Sequence, residues 1–486
     1  MGKVRREIRV DGSELWSLMI LAVPVFLTFA SNRLLATISL SFVGRLGATQ
    51  LAAAGLATSL SNVLGDSVLT GIASCLQTLC GQAFGAKAYK EVGNWWQRAV
   101  LILWVTCIPI TVIWTFAAPI LTAIGQEPAV AKMTALYLHT RLPGIWAFAA
   151  FQATQQYLQS QGIVQPSMYC GIAVAILHPA WNYIFIHFFG WGLQGAAAAY
   201  AFSNFLQLAS LIIVVFFFEL QKETFDGISS TAFKGWGTFL KLGLPSLFML
   251  GEWWAAEIVV LLSGKLPNAE QSLSAMNIFM ETSALSFMLP LGLSIGIAIR
   301  TANELGAGQG KRAERAAGVA VAVGTADALI TATVIFFARH QLPRIFTADP
   351  AVVDVTSKVL SVMAFYIAAD GLQGVLGGVL RGSGRQGRTV PVMFISYYVV
   401  ALPAAYLLGF TFNMGVVGLS LGMLLGALCN VTIYIIMCAR TDWGIAVKEA
   451  LQRSGRNPEQ AEMLIQENMA RNHAQEEMDV RQDEES

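Results

Sequence analysis

Charge is what this sequence has least of. Asp, Glu, Lys and Arg make up 13% of its 486 residues, about half the roughly 25% of an ordinary soluble domain. That excludes a water-soluble globular fold. The charge present nearly cancels, to a formal +1, and no nucleic-acid partner is expected. Cysteine offers no framework either. The six, at 75, 80, 107, 170, 429 and 438, fall within or at the ends of apolar runs and read as small packing residues. The pattern GxxxxGK[ST] is missing, so the glycine-rich stretches "CGQAFGA", "LGAGQGK" and "LRGSGRQG" are not phosphate cradles. They read as tight helix ends and close helix contacts. With no catalytic motif and no paired metal-ligand spacing, neither an enzyme nor a cofactor is expected.

What the chain has is apolar length. Hydrophobic residues make up 55% of it, with mean hydropathy +0.58, and apolar runs of eighteen residues or more are transmembrane candidates. Twelve follow one another, at about 16–41, 52–80, 95–118, 132–158, 167–189, 193–218, 238–263, 272–299, 316–338, 355–380, 390–411 and 416–438. A barrel would show ten-residue alternating strands instead. The expected fold class is an all-α integral membrane protein, multi-pass in the bilayer. The first run is too long for the core of a signal peptide and reads as the first span. Lys and Arg gather at "MGKVRREIRV" and in the second (Lys87, Lys90, Arg98), sixth (Lys222, Lys234, Lys241), eighth (Arg300, Lys311, Arg312, Arg315) and tenth (Arg381, Arg385, Arg388) connections. By the positive-inside rule both termini face the cytosol.

The chain also repeats itself. Gly71, Ile72, Ala73, Gly81 and Gly85 recur as Gly296, Ile297, Ala298, Gly306 and Gly310, at an offset of 225 residues. Pro24 pairs with Pro245, "VGRL" at 43–46 with "SGKL" at 263–266, "YLQSQG" at 157–162 with "VLRGSG" at 379–384, and "GLQG" at 192–195 with "GVVG" at 415–418. Five matches in one order imply two pseudo-symmetric six-helix lobes. Six spans is an even number, so the lobes are parallel repeats about an axis along the membrane normal, with a binding region near the midplane between them. The expected organisation is an N-lobe at 1–218, a cytosolic linker at 219–237, a C-lobe at 238–440 and a cytosolic tail at 441–486. In the tail, "WGIAVKEALQRS" suits a short amphipathic helix and the remainder suits disorder. Two internal lobes suit a functional monomer.

Ionisable residues inside spans cost about 2.5–3.5 kcal/mol on insertion scales and are functional candidates by default. Glu252 and Glu257 fall in the seventh span, Glu281 in the eighth and Asp370 in the tenth; Asp66 lies in the second and Asp327 in the ninth. Ser31 and Phe148 occupy the N-lobe positions symmetric to Glu252 and Asp370. A purely architectural acid would be expected in both halves, so this asymmetry points to proton binding in the C-lobe. The bland alternative is a carboxyl that only fastens helices. Glu252 and Glu257, about 140° apart on a helix, do not share a face. Asp66 and Asp327 read as structural. Trp253 and Trp254 suit an aromatic wall for an organic cation or plain packing. His178 and His187 read as packing groups rather than relays, and Gln77 and Asn303 as helix–helix hydrogen bonders.

"PSLFMLGEWWAAE", "MLPLGLSIGIAIRTANELGAG", "GGVLRGSGRQ" and "TLCGQAFGA" together resemble the MATE family, the multidrug and toxic compound extrusion transporters, over about residues 15–440. The "EWW" and "LCGQ" forms resemble its eukaryotic branch. The resemblance implies exchange of protons for organic solutes, often cations, by alternating access. It implies Glu252 as the main coupling acid, Glu257 as the second acid of that motif, Glu281 nine residues before Pro290, and Asp370 seven before Gly377. Protons would then bind Glu252 and Asp370, while Glu252, Glu257, Glu281, Asp370, Trp253 and Trp254 would meet the solute. The sequence departs from the family at Gln77, where an acid is frequent, and in the first span, which has no aspartate. Sodium coupling and transport of lipid-linked precursors stand as alternatives within transport. A membrane-embedded enzyme built on His178 or His187 stands as the alternative outside it. Plasma and vacuolar membranes both suit a proton-coupled exporter.

Overall fold

The computed structural model describes residues 12–456 and Met463, and contains no strand among them. The basic residues before position 12 and most of the tail read as disordered, 457–462 and 464–486, lie outside the described residues. Twelve long helices follow in chain order: α1 Glu14–Val43, α2 Thr49–Gly85, α3 Tyr89–Thr115, α4 Pro128–Ser160, α5 Gln165–Phe188, α6 Gly192–Phe217, α7 Trp236–Ser263, α8 Ala269–Gly306, α9 Gly310–Ala338, α10 Pro350–Gly382, α11 Gln386–Thr411 and α12 Gly415–Ala439. All but α4 are apolar enough to cross a membrane. That helix is 33 residues long and carries a buried polar stripe, Gln152, Gln155, Gln156 and Gln159. It spans the bundle shielded by its neighbours. A thirteenth helix, α13 Trp443–Arg453, follows α12; its N-cap Asp442 accepts from the Ile445 N–H at 3.0 Å, as helix-start carboxylates do.

The repeat is visible in the helices. α4 and α10 are both 33 residues long and both begin at a proline, the residue whose missing N–H costs nothing at a first helical position. Leucine, isoleucine and phenylalanine cover the outside: Ile176, Phe217, Leu261 and Phe337 are 71–78% exposed, an apolar belt suited to lipid. Inside, one core gathers buried residues from Val43 to Leu247 and a second gathers them from Ala255 to Tyr434.

The lobes meet where α1 begins and α12 ends, here called the terminal face. A Cβ on Gly85 would lie 2.0 Å from the Asn303 carbonyl oxygen, and one on Gly306 would lie 2.0 Å from that of Gln82. Backbones at this distance admit only glycine, which accounts for the repeated glycines at the ends of α2 and α8. Hydrogen bonds complete the seal. Thr78 donates to the Arg381 carbonyl at 2.6 Å, Gln82 to that of Gly382 at 3.1 Å, and Arg453 of α13 to the Gln82 side chain at 3.1 Å. α13 therefore braces both lobes at this face.

The structure departs from the sequence reading at the seventh span and in the length of the helices, which take in Lys90, Arg98, Lys241, Lys311, Arg312, Arg315, Arg381 and Arg388, all read from the sequence as lying in connections. The seventh span is not one helix: it stops at Phe248 and restarts at Gly251. Its first half packs Phe239 and Leu247 into the N-terminal core, and its second half packs Ala255 and Val259 into the other. One run of uniform hydropathy thus serves two cores, and the backbone breaks where it passes between them. The second departure is length. α8 extends to Gly306, so Arg300 is not in a connection. It sits on α8 and holds Glu14 of α1 at 3.0 Å.

Candidate coupling and solute site

The break in α7 sets the position of Glu252, in the first turn after the restart. Its side chain points inward and is 7% exposed. Across from it, α10 presents Asp370 and Gln373, three residues apart and so on one face. Asp370 is 4% exposed. The Gln373 amide donates to Glu252 Oε2 and its Oε1 accepts from the Tyr397 hydroxyl at 2.9 Å. Tyr397 is fully buried in a π-helical turn of α11. Glu252 and Asp370 lie near enough for their charges to interact. No basic side chain hydrogen-bonds either carboxyl among the described residues, and Asp370 Oδ1 has no partner there. Arg381, at the end of α10, is within electrostatic range of Glu252, but its Nη1 donates to Gln77 at 3.3 Å.

The other predicted site residues spread outward from this pair. Trp253, next to Glu252 in the chain, meets Phe287 of α8 edge-on, with ring centroids 5.7 Å apart. Trp254 packs against the N-terminal core. Glu257 is exposed, as its angular offset from Glu252 implies. Glu281 is exposed too, but not free: Arg33 of α1 holds it at 2.9 Å. The structure therefore brings Glu252 and Asp370 within electrostatic range of each other, with Trp253 next to Glu252, and leaves Glu257 and Glu281 exposed.

The N-lobe handles buried charge differently. Asp66, at the end of a π-helical turn in α2, meets Arg141 of α4 at 2.5 Å. Arg141 also donates to Ser61, and its guanidinium lies 4.2 Å from the centre of the Tyr200 ring. This acid is held by an ion pair within its own lobe. His178 is held by the Ser39 and Ser203 hydroxyls at 2.9 and 2.8 Å, a packing role. Gln77 donates to Gln156 at 3.0 Å, whereas Asn303 Oδ1 is buried without a partner among the described residues.

Sequence reasoning missed Gln373, Tyr397, Arg33 and Arg141. Gln373 had a signal, its spacing from Asp370. The two arginines had one as well, since each is a cation inside an apolar run. Tyr397 had none, because only the π turn aims it at the site.

Comparison with known proteins places this architecture. The MatE family model matches residues 24–184 and 245–407, one stretch in each half. The chain is 36% identical to Protein DETOXIFICATION 36 of Arabidopsis thaliana, over 89% of this chain and 86% of that one. It is 35% identical to Multidrug and toxin extrusion protein 1 of Danio rerio, over 91% and 75%. Among solved structures, the eukaryotic MATE transporter AtDTX14 superposes with a TM-score of 0.87 at 31% identity, covering 91% of this chain and 99% of that one. Two family-model matches, extended likeness to transporters rather than enzymes, and a shared twelve-helix fold agree: this chain is a member of the MATE family of multi-pass membrane transporters.

Proposed function

We propose that this transporter is a secondary active antiporter that exports amphiphilic organic cations in exchange for protons. The observation that carries this is the Glu252–Asp370 pair. Glu252, just after the break of the helix that joins the two cores, is buried and accepts from the Gln373 amide. Asp370 on α10 is buried within electrostatic range of it, and no base hydrogen-bonds either carboxyl among the described residues. An acid in such a place can be tolerated neutral, and can be charged when a cation or water reaches it. Protons and a cationic solute then compete for the same oxygens, which is the minimum needed to couple their movements. The relative named for multidrug and toxin extrusion supports an organic, drug-like solute.

The lobes are sealed at the terminal face. With both termini in the cytosol, as the basic connections imply, this is the outward-facing state. Protons would enter from outside to Glu252 and Asp370, displace a solute held near Trp253 that meets Trp254, Glu257 and Glu281 on its way, and allow rocking about the α7 break. The N-lobe is taken as 1–218, the linker as 219–237, the C-lobe as 238–440 and the tail as 441–486. The transporter acts as a monomer in a plasma or vacuolar membrane.

Liposomes containing the purified chain and a trapped fluorescent organic cation test this. An imposed pH gradient should drive cation movement against its own gradient. A sodium gradient at constant pH should not. Movement that follows sodium and ignores pH would replace the proton with sodium in this scheme.

A further inference from the structure

Glu281 should be an open cation site in the cleft, yet it is occupied. One guanidinium nitrogen of Arg33, Nη2, donates to both Glu281 oxygens at 2.9 Å. The partners are 248 residues apart and belong to different lobes, Arg33 to α1 and Glu281 to α8. Below them, toward the terminal face, the same two helices touch: a Cβ on Gly292 would lie 2.6 Å from the Ala22 carbonyl oxygen. At the level of the pair, long side chains must bridge the gap, and the two side chains are 44% and 53% exposed. Arg33 lies on the polar strip of α1 formed with Thr37 and Ser41, all exposed. The bridge is therefore exposed rather than enclosed. It differs from the buried Asp66–Arg141 pair, which joins two helices of one lobe and whose side chains are 18% and 3% exposed.

We propose that Arg33 is a specificity-determining residue. It is a tethered cation that occupies Glu281, so a solute's cationic group must displace it. The displaced guanidinium then offers its donors to an acceptor on the same solute. The bridge thereby forms a dipolar subsite that takes solutes carrying both a cationic and an anionic group, in preference to simple monocations. This rests on the reading of the cleft as a cation path, but not on proton coupling.

Equilibrium binding to the purified full-length chain tests it without any gradient. The probes are a matched pair: tetraethylammonium, and the same ion with one ethyl group replaced by carboxyethyl. The wild-type protein should bind the zwitterion more tightly. Arg33→Gln should tighten the monocation and weaken the zwitterion, each by roughly fivefold, the scale of one partly exposed ion pair, and so reverse the order. Arg33→Lys should keep the wild-type order. Arg33→Gln combined with Glu281→Gln should return the monocation to near its wild-type affinity, because neither charge then remains. A merely structural bridge would weaken both probes alike in Arg33→Gln and would show no such recovery. A ratio of affinities unchanged within about twofold in Arg33→Gln, or a uniform weakening, would overturn the proposal. Failure of proton coupling is read separately, from gradient-driven movement in liposomes.

Discussion

The two lobes share a repeat and a membrane but treat buried carboxyls in opposite ways. In the N-lobe Asp66 is neutralised within its own lobe by Arg141, which is stacked on Tyr200. In the C-lobe Glu252 and Asp370 lie within electrostatic range of each other, with an amide on Glu252, a phenol behind that amide, and no base hydrogen-bonded to either carboxyl among the described residues. The repeat makes the contrast sharper. Positions symmetric to Asp66 and Arg141 carry Leu291 and Met363, and those symmetric to Glu252 and Asp370 carry Ser31 and Phe148. Each lobe has one set of buried charge where the other has none. A paired charge has its state fixed and can only hold structure. An unpaired carboxyl keeps the freedom to change state, and that freedom is what coupling requires.

The largest expected effect comes from fixing that state. Glu252→Gln and Asp370→Asn preserve size and hydrogen bonding but remove the charge. Each should lower uphill efflux of an organic cation to the background of empty liposomes, while the protein elutes as a monodisperse species with unchanged melting temperature. Wild-type efflux in both variants would turn these acids into fasteners and erase the contrast between the lobes.

The next effect is on stability rather than transport. Asp66→Asn leaves Arg141 buried without its counter-charge, a change that costs about 3–5 kcal/mol in buried pairs. Thermal denaturation in detergent should shift downward by several degrees, while transport per folded molecule is retained. Asp66→Leu together with Arg141→Met, which gives the N-lobe the C-lobe residues, should recover much of that loss. A transport defect as deep as that of Glu252→Gln, in folded Asp66→Asn, would move coupling into the N-lobe.

Smaller effects probe the support around the acids. Tyr397→Phe removes the hydroxyl that donates to Gln373, a neutral hydrogen bond worth about 1 kcal/mol. Its efflux should fall by roughly fivefold, and its apparent pH midpoint should move, because Gln373 is freed to turn away from Glu252. An unchanged pH profile would show that the amide needs no orienting. Arg453→Ala should have the least effect. It removes one hydrogen bond from α13 to Gln82 at the sealed face, so labelling of a cysteine placed near Gln82 should rise by no more than a few fold. No change would show that α13 leaves the seal to the glycine contacts.

Much of this fold could be read locally. Membrane insertion depends on the apolar content of about twenty consecutive residues, and the spans, the repeat and the membrane-embedded acids are all properties of short windows. The glycines that close the terminal face were also legible, since only a missing side chain explains their recurrence. The buried carboxyls Glu252 and Asp370 were named from the sequence because a charge in an apolar run is conspicuous wherever it sits.

What the windows could not carry was partnership. Nothing near Asp66 announces that Arg141, 75 residues away, neutralises it, and nothing near Glu281 announces Arg33. The break at 249–250 was equally silent, because both halves of α7 are apolar and hydropathy does not record which core each half joins. The sequence alone determined that this is a two-lobed bundle of membrane helices with carboxyls in its interior. The tertiary structure decided which of those carboxyls are paired and which are free. An ion pair forms through space between helices distant in the chain, and the sequence holds the partners without recording that they meet.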